Sequence, residues 1–192
     1  TSRSAIGVRC SFDGETLSIQ KVGREIKHAA GRGLLEPSLV RYRGKFYATL
    51  RAEDNRGYVV ASDDGLDFDE KQPWCWDDGT PLDMSTTQQH WLPHSDALHL
   101  VYTRKDASNE KVIRWRSPLF MSQVDLKTLR LIRDTDAVDF YVTFDSISVG
   151  AAQAQYLVDH AEGTGNPLYL YAGAASDNNA FLFFEGAWNV LQ

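Results

Sequence analysis

Over the first ~125 residues, apolar positions recur every second residue in short runs, the period of a half-buried strand. "IGVRCSF" (6–12) ends at the turn pair Asp13-Gly14 and leads into "TLSIQKV" (16–22). "SLVRYRGKFYATLRAE" (38–53) reads as two strands about the turn Arg43-Gly44. Its Tyr42, Phe46, Thr49 and Leu50 suit a pleated surface. "GYVVASDDG" (57–65) is a strand closing in an Asp-Asp-Gly turn, and "ALHLVYTRK" (97–105), "KVIRWRS" (111–117) and "LFMSQVD" (119–125) alternate again. No stretch here carries the period of a long amphipathic helix. Many short strands with Asp/Gly turns predict an all-β sandwich, barrel or propeller.

From about residue 136 the period changes. "VDFYVTFD" (138–145) is nearly continuous in apolar character, as in a buried parallel strand. "SISVGAAQAQYLVDHAEG" (146–163) suits a helix, with Ser146 or Ser148 as N-cap and Gly163, Gly165 and Asn166 as its end. "PLYLYAG" (167–173) reads as another buried strand, and "SDNNAFLFFEGAWNVLQ" (176–192) as a helix with Phe181, Phe184, Trp188 and Leu191 at helical spacing. This β-α-β-α order is the grammar of a parallel sheet.

Charge sharpens the division. Residues 1–133 hold all 20 basic side chains and 18 acidic ones, while 134–192 hold eight acidic and no basic. A nucleic-acid groove needs clustered Lys and Arg, so no such partner is expected for the tail. Apolar and charged fractions of 43% and 24% exclude a disordered or collagen-like chain. Cys10 and Cys75 suit two buried thiols or one disulfide, and alone they cannot hold a four-ligand zinc. No metal or cofactor is expected. No apolar run approaches the ~20 residues of a membrane-spanning helix, and no secretory signal pattern is present.

Several polar residues invite a ligand. Gln88, Gln89 and His90 form a cluster before Trp91 whose amide and imidazole groups suit sugar hydroxyls, and Trp91 or Trp115 suits stacking on a sugar face. Arg114 and Arg116, if in a strand, share one face as an anion site or a solvated one. Glu36, before Pro37, suits a solvated loop as well as a site; Arg51 suits pairing with Glu53 or Asp54 as well as an anion; Tyr102 suits a core edge. His94 and His99 read as surface or structural residues.

"ASDDGLDF" (61–68) resembles the Asp-box, S-x-D-x-G-x-T-W, of sialidase-type β-propellers. Asp63, Gly65 and Phe68 fall in place; Ala61 stands for Ser and Asp67 for Thr. With "EPSLVRYRGKFYATLR", "PWCWDDGTPL", "TTQQHWL", "LVYTRK" and "RWRSPLFMSQVD", residues 1–133 resemble sialidase-like propeller proteins. At roughly 45 residues per blade they would make about three blades, a partial propeller. The resemblance implies arginines for an acidic glycan, a Tyr nucleophile and carboxylates for proton transfer. It points to Glu36, Arg51, Tyr102 and Arg104 as catalytic candidates, with Arg114 and Arg116 at the glycan.

Residues 130–192 are similar instead to periplasmic sugar-binding proteins of the xylose/multiple-sugar type. There the resemblance implies sugar contacts from Arg130, Asp145, Asp177, Asn178 and Asn179. Leu129 departs from the family's Asp and Ser146 from its Asn, and Asn178 and Asn179 also suit helix capping. It further implies a periplasmic or secreted setting and a transport partner. Domains are expected at 1–133 and 134–192, the text of the two families meeting near "LRLIRDT". Three readings follow: a joined or truncated chain, a glycan-processing enzyme with a divergent C-terminal third, or a non-catalytic carbohydrate-binding module. A glycan or monosaccharide ligand is common to all three.

Overall fold

A computed structural model describes residues 2–138, 145–161, 168–170, 173 and 178–192. The chain divides into two compact units, Thr1–Tyr141 and Val142–Gln192.

The first unit is antiparallel β. Strands β1 (Ala5–Phe12) and β2 (Leu17–Ile26) form a ribbon. Strands β3 (Leu35–Tyr42), β4 (Lys45–Arg51), β5 (Gly57–Ser62) and β6 (Gln72–Pro73) form one sheet in sequence order. Strands β7 (His90–Pro93), β8 (Leu98–Tyr102), β9 (Phe120–Asp125) and β10 (Arg130–Leu131) form another, also in sequence order. Two four-stranded meanders and a ribbon are consistent with the predicted short-strand architecture. Neither sheet closes into a barrel among the described residues.

Period 2 explains the packing of β4 and β5. Tyr47, Val59 and Ala61 enter a core shared with Trp74, Trp76, Leu98, Leu100, Tyr102, Phe120 and Leu131. Ala48, Leu50 and Val60 enter a second core with Ala5, Leu34, Ala52 and Phe68. Alternate residues thus fill opposite faces. This is why both strands are apolar almost throughout.

The turn after β5 uses the expected chemistry one residue later than the Asp-box reading. Asp64, not Asp63, accepts from the Leu66 and Asp67 amides at 2.9 and 3.0 Å. Ser62 Oγ accepts from the Gly65 amide at 3.0 Å. Those amides, that of Asp67 first, hold the Asp64 carboxyl down at about 2. Asp63 lies outside this network and pairs with Lys45 at 3.1 Å. Gly65 has φ +74°, and Phe68 is buried, as the motif requires. The ribbon crosses this turn at close range: a Cβ at Gly7 would lie 2.4 Å from Gly65 O, and one at Gly23 2.1 Å from Leu66 O.

Residues 111–117 are not a strand. Ile113–Trp115 is a 3-10 turn, with Arg114 and Trp115 at φ +55° and +49°. The segment before it is tied by Asn109, whose side chain donates to Arg104 O and accepts from the Asp106 amide, both at 2.9 Å. Alternation without a neighbouring strand to pair with does not make a ladder. Both cysteines are free, with Cys10 exposed and Cys75 half-buried, so the expected buried thiols are not found.

The second unit holds α1 (Ser146–His160) and α2 (Asn178–Leu191). The N-cap is Asp145, not Ser146 or Ser148; its Oδ1 accepts from the Ile147 and Ser148 amides at 3.0 and 3.2 Å. Two glycines set the helix contact. A Cβ at Gly150 would sit 2.2 Å from Phe183 O, and one at Gly186 1.9 Å from Ile147 O. Of the expected strands, 139–144 lie outside the described residues, and 168–170 form no strand among the described residues. No helix among the described residues is long and apolar enough to cross a membrane.

Candidate functional site

An open cavity of ≈ 410 Å³ in the β unit is lined by Glu36, Arg51, Thr87, Gln88, His90, Thr103, Arg116 and Leu119. Five of these are residues singled out from the sequence. They arrive from four places in the chain: a break in β3, the end of β4, the entry to β7, and the segment after the 3-10 turn.

Glu36 sits where the β3–β4 register slips between Leu35 and Ser38, at φ +42°. Its carboxylate takes a charge-assisted hydrogen bond from Arg51 Nη1. Arg51 Nε donates to Thr86 Oγ1 at 2.8 Å. The Arg51 side chain is almost buried, so both contacts fix its fork. The Thr87 and Thr103 hydroxyls touch each other at the buried side of the cavity. Arg116 is exposed and has no carboxylate partner among the described residues. The lining therefore offers one neutralised guanidinium, one uncompensated guanidinium, an amide and an imidazole. Such a set suits an oxygen-rich ligand bearing negative charge.

Strand alternation splits the Gln88–Trp91 cluster. Gln88 and His90 are exposed toward the cavity, whereas Gln89 is buried. Gln89 Oε1 accepts from Thr49 Oγ1, and its Nε2 lies 3.8 Å from Met84 Sδ. It also lies over Gly57, where a Cβ would come within 2.2 Å of its Nε2. Trp91 packs on Trp74 at 5.8 Å and donates from Nε1 to Ser38 O at 3.0 Å. It joins β7 to β3 and packs, partly buried, against the core.

Tyr102 and Arg104 belong to a second network away from that lining. Tyr102 donates to Asp136 Oδ1 at 2.7 Å and lies 2.9 Å from Ser122 Oγ. Burial, reinforced by the Asp136 carboxylate, pushes its phenol far above the ordinary range. Arg104 pairs with Asp106 and Asp136, each at 2.9 Å, and its guanidinium lies 4.0 Å from the Phe120 ring centre. Arg114 is exposed on the 3-10 turn and is not part of the cavity lining. Arg130 reaches Asp77 O at 3.3 Å.

In the helical unit, Asp145 is occupied as the α1 cap, and Ser148 Oγ, its first stabiliser, helps hold its carboxyl below the usual range. Asn179 Oδ1 accepts from Ser146 Oγ at 3.3 Å. Asn178 opens α2, and Asp177 lies outside the described residues. Sequence reasoning missed Thr87, Thr103 and Leu119. Their only signal was position at strand ends, which is weak.

No family model matches the chain. Over 68 residues it is 44% identical to the multiple sugar-binding periplasmic protein SbpA of Azospirillum brasilense, covering 33% of this chain and 19% of that protein. The multiple sugar-binding periplasmic receptor ChvE of Rhizobium radiobacter matches to the same extent. The D-xylose-binding periplasmic protein of Escherichia coli K12 is 46% identical over 63 residues, 33% of this chain and 18% of that one. The crystal structure of a carbohydrate transporter solute binding protein from Chloroflexus aurantiacus, in complex with D-glucose, is 90% identical over 32% of this chain and 18% of that one, with a TM-score of 0.26. A third of the chain is thus similar to periplasmic sugar-binding proteins, and the chain spans about a fifth of the length of these relatives.

Proposed function

We propose that the protein binds carbohydrate, and that its matched third, read as residues 130–192, is part of a lobe of a periplasmic monosaccharide-binding protein that serves a transporter. The observation that carries this reading is 44–46% identity to three periplasmic sugar-binding proteins over that third. Asp177, Asn178 and Asn179 are the proposed sugar contacts, in a periplasmic or secreted protein. Such proteins close two lobes about a hinge, and the proposal for the helical unit is one wall of that cleft. Xylose, arabinose, glucose and galactose are each expected to raise the melting temperature. A melt unchanged by saturating amounts of all four sinks this reading.

A second reading is favoured by the cavity itself. Arg51, Arg116, His90 and Gln88 converge there, and the proposed occupant is an acidic glycan held by Arg116 against the Glu36–Arg51 pair. Here the β unit would be part of a sialidase-like propeller. Binding is placed ahead of hydrolysis, because Tyr102 is buried and held neutral away from the cavity lining. Arg116→Ala should weaken binding of a carboxylated sugar about tenfold with no shift in melting temperature, as expected for one exposed charge-assisted contact. Arg51→Ala should also lower stability by about 1–3 kcal/mol, since Glu36 and Thr86 lose their donor. Titration calorimetry and thermal melts of both variants check this; unchanged affinity in Arg116→Ala removes the cavity from consideration.

A further inference from the structure

The Glu36–Arg51 pair keeps polar atoms free of protein partners at the cavity. A guanidinium has five N–H donors; Arg51 gives Nε to Thr86 Oγ1 at 2.8 Å and Nη1 to Glu36 Oε2. Its Nη2, and Oε1 of Glu36, make no hydrogen bond among the described residues. The Arg51 side chain is 10% exposed and that of Glu36 44%, and both line the ≈ 410 Å³ cavity. Glu36 sits at φ +42°, a conformation that a residue with a Cβ keeps only where the surrounding structure imposes it. The charged lining residues are this pair and Arg116. With His90 neutral, the lining therefore has one positive charge in excess.

We infer, on the basis of the acidic-glycan reading of this cavity, that it selects a sugar carrying one carboxylate and that Glu36 sets this charge. Arg116 is the counter-charge for the carboxylate, whose planar fork a guanidinium matches. The pair supplies the remaining contacts. Oε1 of Glu36 accepts a proton from one sugar hydroxyl, and Nη2 of Arg51 donates to the oxygen of another. Glu36 has already cancelled the charge of Arg51. A second negative charge on the ligand thus finds no free cation and meets the Glu36 carboxylate instead. A phosphorylated sugar, at about −1.5 to −2 near neutral pH, is disfavoured for that reason. A neutral sugar forgoes the Arg116 contact, and a carboxylate without hydroxyls forgoes the contacts of the pair.

Titration calorimetry of the whole chain with D-glucuronate, D-glucose, D-glucose 6-phosphate and cyclohexanecarboxylate separates these cases. Each titration is repeated with Arg116→Ala, and the part of the binding that this substitution removes is assigned to the cavity. In that part, D-glucuronate should bind about tenfold or more tighter than each of the others, the loss expected for a missing charged hydrogen bond. Glu36→Gln keeps the shape and an acceptor but frees the charge of Arg51, which Thr86 still holds. It should shift the affinity ratio about tenfold or more from glucuronate toward glucose 6-phosphate. Should Glu36→Gln fail to fold, the four ligands with the parent chain still decide. Glucose 6-phosphate binding as well as glucuronate, or better, overturns the inference and leaves the acidic-glycan reading standing. So does cyclohexanecarboxylate matching glucuronate, or a folded Glu36→Gln chain with an unchanged ratio. Glucose matching glucuronate, or no Arg116-dependent binding of any of the four, overturns the inference and that reading together.

Discussion

Trp74→Ala should lower the stability of the β unit by about 3–5 kcal/mol, the range for emptying a buried large aromatic site. Domains are stable by only about 5–15 kcal/mol, so the variant should unfold at markedly lower urea. Trp74 is fully buried at the junction of the two four-stranded sheets. Its ring meets Trp91 at 5.8 Å, and its Nε1 donates to Thr49 Oγ1 at 3.0 Å. That hydroxyl in turn donates to Gln89. Removing the indole therefore opens a cavity and also leaves a buried hydroxyl with one partner fewer. Trp74→Phe keeps much of the volume and loses only the donor, so its loss should be about 1–3 kcal/mol. Urea midpoints followed by near-UV circular dichroism check both. Equal losses would mean that the hydrogen bond, not the packing, dominates the site.

Gly186→Leu should separate α1 from α2 and remove the cooperative melt of the helical unit. Intrinsic propensity argues the other way, since replacing a mid-helix glycine gains up to about 1 kcal/mol. The contact decides the sign. A Cβ at position 186 falls 1.9 Å from the Ile147 carbonyl oxygen and 2.8 Å from the Ala151 amide nitrogen, both backbone atoms that cannot rotate away. The helices must move apart, and Gly150 against Phe183 loses its fit at the same crossing. Asn189→Ala, on an exposed position of the same helix, tests propensity alone and should raise helicity slightly. Ellipticity at 222 nm against temperature distinguishes the two. A Gly186→Leu chain that melts like the parent would mean the glycine contact is not what holds the pair.

Much of the β unit was legible because its strands alternate between defined turns. Seven of the ten strands lie where the pattern placed them, β1 to β5, β8 and β9. The two-residue strands β6 and β10 are too short to show a period, and β7 was read as a polar cluster. Residues 111–117 alternate as well as any strand, yet a ladder depends on a neighbour, which local sequence does not encode. The same limit governs the site. Glu36, Arg51, Gln88, His90 and Arg116 were readable as chemistry. That Gln89 and Trp91 turn inward follows from strand period once β7 is known. Tyr102 takes its partner from Asp136, 34 residues later, and no local signal announces that. In the helical unit both helices were legible from composition and spacing. The cap was not: family resemblance points Asp145 at a ligand, whereas its side chain is spent on amides.

The helical unit, Val142–Gln192, lies wholly within a stretch that has no lysine or arginine after Arg133. Trypsin thus has no bond to cut there, whether the helices are formed or melted. Its limit digest should always contain residues 134–192 as one acidic peptide, so resistance to trypsin in this region is no measure of folding. A protease directed at Asp or Glu, with sites at Asp159 and Glu185 within the helices, reports instead on whether those helices are closed.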